Sequence, residues 1–282
     1  NITLDVKVSN FSSVNDKYRH LYEIYDTSTK FYHNLINTAE GKEAKEYLVK
    51  RNINEDLIKE FKIGLSPKDR TLLTKFLSKN KYNKEEMIQS GLVIENNYGL
   101  SDIYCNRIMF PLEDLNGRVV GFSGRIYNVS DTSKYINTKE TEIFKKREVI
   151  YNYHRAKDEA RNKCYVIVME GFMDVIRAHS VGIKNTVATM GTAVTSNHAN
   201  LLKRMAKEVY LCFDGDSAGL KATLACITEL GKVGVIPKII RLEDNLDPDE
   251  YIIKFGKEKF LDKVENSLTV MDFKMNYLKQ TN

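Results

Sequence analysis

Short apolar segments alternate with helical segments from about Arg161 onward, and this alternation constrains the fold more than any other feature of the chain. The apolar runs are Tyr165–Met169, Thr186–Met190, Val209–Phe213 and Ile236–Leu242. The helical stretches between them are Phe172–Val181, Ser196–Ala206 and Ser217–Val233. Strands that alternate with helices are typical of βαβ units, and continuous apolar runs indicate strands buried on both faces. We therefore predict an α/β fold with a mostly parallel sheet flanked by helices.

Acidic residues follow two of these apolar runs. Glu170 comes directly after the first run, Asp214-Gly215-Asp216 follows the third, and a further cluster, Asp247-Pro248-Asp249, lies beyond the last. Ligands of open α/β sheets bind just beyond the carboxyl ends of the strands, so carboxylates at these ends can converge. Convergent carboxylates repel one another unless a hard cation lies between them, and Mg²⁺ binds one or two carboxylates together with substrate phosphates. The pattern predicts divalent-metal chemistry on a phosphodiester or a nucleotide.

Each of these acids also has a purely structural interpretation. Glu170, Asp214 and Asp216 can be helix N-caps or first-turn acids, which interact favourably with the helix dipole. For a single acid the structural interpretation is favoured, whereas the whole set favours metal binding. Asp174 can be either a partner of the metal ligands or a structural acid.

The first half of the chain has a different pattern. Helical spacings extend from Asn15 to Ala39, and shorter helices are expected at about 42–51, 55–61, 70–78 and 84–90. Two apolar runs, Ile108–Leu112 and Val119–Phe122, flank Asn116-Gly117, which is a strong turn signal and predicts a β-hairpin. At the other end of the chain, a helical tail is expected at Phe260–Leu278.

Composition excludes several classes of protein. Hydrophobic residues make up 42% of the 282 residues and charged residues 29%, as in ordinary globular proteins. No apolar run is long enough to predict a membrane span. Asn1–Lys7 lacks a signal-peptide pattern and does not begin with Met, so the chain is interpreted as a fragment of a longer protein. The four cysteines form no C-x-x-C pair, which favours a reducing, cytoplasmic location. A net charge of +5 does not by itself indicate nucleic-acid binding.

The acidic motifs resemble those of the Toprim domain, and the surrounding segments resemble the core of a DnaG-type bacterial primase. The Toprim elements are E-G-x-x-D, at Glu170, Gly171 and Asp174, and D-G-D at 214–216. The primase-like segments are NRIMFP at 106–111, GFSGR at 121–125, KYIN at 134–137, VATMGT at 187–192 and DPD at 247–249. They occur in the family's order, and the resemblance extends from roughly Tyr18 to Phe260.

The resemblance implies a specific architecture. It predicts a mixed α+β N-terminal subdomain with a basic groove at 1–160, a Toprim-like, mostly parallel sheet flanked by helices at 161–250, and the start of a C-terminal helical element at 251–282. The zinc-binding and helicase-binding domains of DnaG-type primases have no counterpart in the chain, so it is interpreted as the isolated catalytic core.

The resemblance also implies the site residues. Catalytic and metal-binding roles fall on Glu170, Asp214 and Asp216, with Asp249 and Asp247 completing a second site for Mg²⁺ or Mn²⁺. Nucleotide- and template-binding roles fall on Arg107, Arg125, Lys134, Asn137 and Lys146. A solvated face is the alternative for the basic run 134–147. Tyr135 and Phe144 can stack on bases or be buried anchors, and Met190-Gly191-Thr192 can be a ligand-approach loop or simply a tight turn.

The expected function is DNA-templated synthesis of a short RNA primer from ribonucleoside triphosphates. The expected partners are a single-stranded DNA template, the triphosphates, a replicative helicase reached through a domain absent from this chain, and regulatory stress nucleotides; no membrane is expected. The expected location is the cytoplasm, at the nucleoid and the replication fork. Two alternatives are a Toprim nuclease or topoisomerase that cleaves DNA, and a non-catalytic module that binds nucleotides or single strands.

Overall fold

Two four-stranded sheets, each with its own helices, form the protein. The structure is a computed structural model, and it describes residues 17–128, 133–191, 193–243 and 245–281. The sheet from the first half of the chain is antiparallel, and the sheet from the second half is parallel. Within the described residues, no helix is both long enough and apolar enough to cross a membrane.

Helices make up most of the described chain before the hairpin of the first sheet, as the apolar spacings predict. They are α1 (Arg19–Ile36), α2 (Lys42–Lys50), α3 (Glu55–Glu60), α4 (Leu72–Lys79) and α5 (Lys84–Gln89), with a 3-10 turn at Ala39–Gly41. Helix α1 buries the predicted positions Leu21, Ile24 and Ile36. The predicted start of this helix at Asn15 lies outside the described residues.

The antiparallel sheet contains the predicted hairpin. Its strands are β1 (Gly64–Leu65), β4 (Ile108–Glu113), β5 (Val119–Arg125) and β6 (Tyr135–Asn137), in the order β1-β4-β5-β6. At the turn, the Asp114 side chain accepts hydrogen bonds from the backbone N–H groups of Asn116 and Arg118, and Gly117 has a φ of 81°. A separate hairpin, β2 (Val93–Asn96) and β3 (Gly99–Asp102), was not predicted.

The parallel sheet follows the predicted alternation of strands and helices. Its strands are β7 (Tyr165–Met169), β8 (Thr186–Ala188), β9 (Glu208–Leu211) and β10 (Lys238–Ile239), in the order β10-β9-β7-β8. Its helices are α6 (Tyr153–Lys163), α7 (Phe172–Ser180), α8 (Ser196–Met205) and α9 (Ser217–Lys232). Because the strands are parallel, the residues that follow β7 and β9 emerge at the same edge of the sheet.

The C-terminal helical segment differs from the expected tail at 260–278. Helix α10 (Pro248–Glu265) begins earlier, with a break at Gly256, whose φ of 82° is not helical. Helix α11 (Val270–Thr281) is separate. The chain leaves helical geometry between α10 and α11 because Leu268 forms backbone hydrogen bonds with Ile239 of β10, so it extends the sheet.

One hydrophobic core extends through both sheets. Phe110 on β4 and Phe172 on α7 pack with their ring centroids 4.7 Å apart, and the same cluster includes Leu112 from the first sheet and Ile167 from the second. The two sheets are therefore joined by a shared core near the end of β7, where α7 begins.

Candidate active site

A cavity of about 380 Å³ lies where the antiparallel sheet meets the carboxyl edge of the parallel sheet. One wall consists of residues from β5, β6 and the end of α2: Arg51, Ser123, Arg125, Lys134, Tyr135 and Asn137. The other wall consists of residues that follow β7, β8 and β9, together with the start of α10: Glu170, Gly171, Phe172, Met173, Asp174, Met190, Gly191, Asp214, Asp247 and Asp249. Cationic and amide groups therefore face a cluster of carboxylates.

Glu170 and Asp214 form the centre of the acidic wall. Glu170 directly follows β7, and its Oε1 accepts a hydrogen bond from the backbone N–H of Asp214 at 3.2 Å. Burial raises the pKa of Glu170 above its usual range. Burial, followed by the charges of Glu170 and Asp247, raises the pKa of Asp214 to about 7. These shifts have the electrostatic cause expected of acids that converge without a cation between them.

Asp216 is an N-cap, as the structural interpretation predicts, whereas Glu170 and Asp214 precede the N-caps of α7 and α9. Asp247 is also an N-cap, which was not predicted. Asp216 accepts hydrogen bonds from Ala218 N and Gly219 N at 2.9 and 2.8 Å at the start of α9. Asp247 accepts one from Glu250 N at 2.7 Å at the start of α10. Asp247 also lines the cavity, whereas Asp216 is outside its lining. A cap uses one carboxylate oxygen, so capping and metal binding are compatible for both residues.

Asp249 is held by two arginines that sequence analysis did not identify. Only 3% of Asp249 is exposed. Its Oδ1 accepts from Arg177 Nε at 2.6 Å, and its Oδ2 accepts from Arg51 Nη2 at 3.1 Å. Arg177 also donates to the backbone carbonyl of Arg51 at 2.5 Å. This ion triad joins the end of α2 to α7 and α10. No local motif marks it, because Arg51 and Asp249 are 198 residues apart.

Asp174 is a buried acid in the lining of the cavity. It accepts hydrogen bonds from Gly171 N at 3.1 Å and from Asp249 N at 3.2 Å. Burial, together with the charges of Asp247 and Asp214, raises the pKa of Asp174 well above its usual range. Its two backbone bonds fix the start of α7 against α10, which is a structural role.

The donor chemistry of the acidic wall suits a hard divalent cation. Glu170, Asp214 and Asp247 present carboxylate oxygens to one cavity, and oxygen ligands are what Mg²⁺ and Mn²⁺ prefer. Among the described residues, no three His, Cys, Asp or Glu side chains are arranged closely enough to hold a metal ion by themselves. Oxygens from a substrate or from water would therefore complete the coordination, as is usual for Mg²⁺.

The opposite wall combines cations with an aromatic ring. The Arg125 guanidinium contacts the Tyr135 hydroxyl and lies over the rings of Tyr135 and Tyr47, 5.0 and 5.5 Å from their centroids. The Lys134 ammonium is 5.9 Å from the centroid of the Tyr135 ring. Tyr135 therefore holds two cations beside the cavity, while its own ring packs edge-on against Phe172.

Two predicted nucleotide- or template-binding residues lie outside the lining of this cavity. Arg107 is buried, and its Nη1 donates to the backbone carbonyls of Gly124 and Ser133 at 3.2 and 3.0 Å. Lys146 is on the loop before the parallel sheet, where its backbone N–H donates to Glu140 at 3.2 Å. Phe144 is 2% exposed and is a buried anchor. Met190 and Gly191 line the cavity, whereas Thr192 is outside the described residues.

Most of the chain is similar to known DNA primases. Residues 31–157 match the family described as the DNA primase catalytic core, N-terminal domain, and residues 167–252 match the Toprim-like family. The DNA primase of Enterococcus faecalis is 38% identical over 276 residues, which cover 95% of this chain and 44% of that protein. The DNA primase of Lactococcus lactis is 41% identical over 266 residues, which cover 93% of this chain and 41% of that protein. The chain thus spans less than half the length of these relatives.

Solved structures agree with this assignment. The DnaG primase catalytic domain bound to ssDNA superposes with a TM-score of 0.86 and 33% identity, covering 94% of this chain and 86% of that one. The zinc-binding and RNA polymerase domains of Aquifex aeolicus primase give a TM-score of 0.85 and 33% identity. The match covers 91% of this chain and 63% of that one. With both segments matched in order and the fold shared throughout, the chain belongs to the family of DnaG primase catalytic cores.

Proposed function

We propose that this chain synthesises RNA primers on a single-stranded DNA template from ribonucleoside triphosphates, with Mg²⁺ or Mn²⁺ as cofactor. The observation that carries the proposal is one cavity with carboxylates on one wall and cations on the other. A metal-bound triphosphate needs both, because its cation binds carboxylates and its remaining phosphate charge binds Lys and Arg.

In this proposal, Glu170, Asp214 and Asp247 hold the metal, and Asp216 adds negative charge next to Asp214. A bound divalent cation would stabilise charge on the reacting phosphate and on the departing pyrophosphate. Asp249 is already paired with Arg177 and Arg51, and these ion pairs hold the walls of the cavity in position. It joins the second metal site only if its ion pair with Arg51 is replaced by a bond to the metal.

The cationic wall orients the triphosphate. Lys134 and Arg125 neutralise phosphate charge, and Arg51, whose side chain is 30% exposed, adds a guanidinium from the same side. Arg107 acts by fixing the carbonyls around β5 and β6, and Lys146 contacts the template further along the surface. The hydroxyl at the 3′ end of the primer, or of the first nucleotide, attacks the α-phosphate in line, and pyrophosphate leaves.

The proposed partners follow from the same chemistry. A solved primase catalytic domain is described as bound to ssDNA, which supports a single-stranded template here. Guanosine polyphosphates carry the same charged groups as the substrate, so we expect stress nucleotides to compete for the cavity. Contact with a replicative helicase, and a location at the replication fork in the cytoplasm, are proposed by analogy with the full-length relatives, of which the chain spans less than half.

The test is synthesis itself. The protein is incubated with single-stranded templates of mixed sequence, the four ribonucleoside triphosphates and Mg²⁺ or Mn²⁺, and the products are separated on a denaturing gel. Template-dependent, alkali-labile RNA is the expected result. Cleaved template without RNA would favour the nuclease alternative, and nucleotide binding without either product would favour the non-catalytic one.

A further inference from the structure

A basic loop, residues 139–147, joins the antiparallel sheet to the half of the protein that contains the parallel sheet. It lies between β6 and α6, and no helix or strand forms within it. Its last three residues, Lys145, Lys146 and Arg147, are consecutive cations. Loops are more mobile than helices and strands, so these cations keep fixed positions only where individual contacts hold the loop.

The first part of the basic loop is anchored to the N-terminal half of the chain. Phe144 is buried, and its backbone N–H donates to the Thr141 hydroxyl at 3.1 Å. The Tyr18 hydroxyl, just before α1, donates to Glu142 at 3.1 Å. These contacts hold the loop before the cations at 145–147 but not after them.

The N-cap of α8 holds the end of the basic loop. The Thr195 hydroxyl donates to the backbone carbonyl of Arg147 at 2.9 Å and accepts from the backbone N–H of His198 at 3.2 Å. His198 is fully buried. Burial lowers the pKa of His198, and the nearby backbone carbonyls of Lys146 and Val149 oppose that shift. Both residues of the cap therefore face the stretch 146–149.

Helix capping alone does not account for both bonds of Thr195. A threonine caps a helix by accepting a hydrogen bond, and its single hydroxyl proton is left over. Here that proton is given to the carbonyl of Arg147, which directly follows Lys146, the residue proposed to contact the template. Ordering a mobile loop when a ligand binds reduces affinity, so a loop that is already held favours a phosphate contact.

We propose that Thr195 is a positioning residue, which holds the basic loop through the Arg147 carbonyl so that Lys146 meets the phosphates of a single-stranded template. His198 packs behind this contact. The proposal rests on the proposed function, because it explains how one template contact of that function is kept in place.

The experiment measures the binding of a labelled single-stranded DNA of mixed sequence by fluorescence anisotropy at several salt concentrations. Thr195→Val removes the hydroxyl and keeps the side-chain shape. We expect it to bind about three- to tenfold more weakly than wild type, the equivalent of about one hydrogen bond. Thr195→Ser can make both bonds and should bind like wild type. Lys146→Ala should also bind more weakly, and its log-affinity versus log-salt slope should be shallower by about 0.7.

A double-mutant cycle separates positioning from a general structural role. If Thr195 acts through Lys146, adding Thr195→Val to Lys146→Ala should weaken binding by no more than about twofold, whereas independent effects would add in full. Trypsin, which cleaves after Lys and Arg, provides a second readout. Cleavage at 145–147, identified by the masses of the fragments, should be faster in Thr195→Val than in wild type or Thr195→Ser, because the loop opens more readily.

The matched control is Asn54→Ala. The Asn54 side chain caps α3 by accepting a hydrogen bond from Leu57 N at 3.0 Å, so this variant loses the cap of a different helix. It should keep the wild-type DNA affinity and the wild-type rate of trypsin cleavage at 145–147. Thermal unfolding verifies that all the variants are folded.

Three outcomes would overturn the positioning role. They are wild-type DNA affinity in folded Thr195→Val or Lys146→Ala, a full further loss of affinity when the two changes are combined, and an unchanged rate of cleavage at 145–147 in Thr195→Val. RNA synthesis by the wild-type preparation would then leave the proposed function standing. Absence of RNA from every template, whatever the DNA affinity of the variants, would count against the proposed function instead.

Discussion

Asp214 is an electrostatically strained group at the centre of the acidic wall. Its pKa of about 7 results from burial and from the neighbouring charges of Glu170, Asp247 and Asp216. A carboxyl whose folded-state pKa is raised contributes stability while it is protonated, and this contribution is lost as the pH rises through the folded pKa. The metal-free protein is therefore expected to lose stability between about pH 4 and pH 8, and a bound cation should restore it.

We predict that Asp214→Asn abolishes RNA synthesis and makes the metal-free protein more stable than wild type at pH 8. The stability gain should be about 1 kcal/mol once solvent screening of this half-buried group is considered, and it should vanish near pH 4. Urea unfolding at both pH values, with and without Mn²⁺, provides the measurement. Mn²⁺ should stabilise wild type only. RNA synthesis at the normal rate by the folded variant would remove Asp214 from the mechanism.

The buried ion triad leads to a second prediction. Asp249→Ala leaves Arg177 buried without its carboxylate, so unfolding free energy should fall by about 3–5 kcal/mol even without metal. The matched control is the exposed neighbour Glu250→Ala, which should stay within about 0.5 kcal/mol of wild type. Urea unfolding without divalent ions measures both. If Asp249→Ala lost only metal affinity and no metal-free stability, metal binding rather than the triad would be its main role.

Sequence reasoning identified the acids but not all of their roles. Glu170 and Asp214 come together because each follows a predicted strand of a parallel sheet, which is a local pattern. The pairing of Asp249 with Arg177 and Arg51 depends on how α2, α7 and α10 pack, and no local pattern reports packing. The assignment of catalytic and metal-binding roles to these acids stays a prediction.

At the scale of elements, the loops after the strands determine where the carboxylates lie. The loop that carries Asp214 packs directly against the loop that leads to Asp247. A Cβ atom at Gly215 would be 2.6 Å from the Asn245 Cα atom, so only glycine permits this approach. The D-G-D motif therefore needs its glycine to keep two acids of the cavity near each other.

We predict that Gly215→Ala destabilises the protein by about 1–3 kcal/mol, as overpacking usually does, and weakens Mn²⁺ binding because the Asp247 loop must move. The control is Gly231→Ala in α9, where an added Cβ has no neighbour within 4 Å and should be neutral or stabilising. Urea unfolding and Mn²⁺ titration of both variants are the measurements. Equal Mn²⁺ affinity in the two variants would contradict the loop argument.

The elements that sequence analysis found differ physically from those it missed. Strands β7 and β9 are apolar runs, and α7 to α9 have long apolar stripes, so they stand out. The hairpin β2–β3 has mostly exposed or half-exposed residues, and β1 and β6 are two or three residues long. The start of α10 could have been predicted, because Asp247 followed by Pro248 is a strong helix-start signal.

At the scale of the molecule, polar contacts as well as the core join the two sheets. Glu113 on β4 accepts from Arg155 on α6 and from Lys62 at 3.0 Å, while His179 on α7 bonds to Glu60 on α3 at 2.9 Å. Burial lowers the pKa of His179 despite the nearby Glu60 charge. The unfolded chain therefore binds a proton here at a higher pH than the folded protein does, so stability is lost as the pH falls through about 6.5.

We predict that His179→Gln, which cannot acquire this charge, loses less stability than wild type when the pH is lowered from 7.5 to 5.5. The urea midpoint of wild type should therefore fall further than that of the variant when the pH is lowered. Parallel midpoints over this range would show that the His179 proton is not linked to folding.

Because the core is continuous, one half of the protein cannot simply be transferred to another protein. Phe110 and Leu112 from one sheet and Phe172 and Ile167 from the other belong to a single hydrophobic cluster. A segment cut out near residue 160 would carry half of that cluster into water, where apolar area costs about 25 cal/mol per Å². The half that contains the parallel sheet is therefore not a portable module: grafting it onto another protein would require transplanting the matching surface of the other half as well.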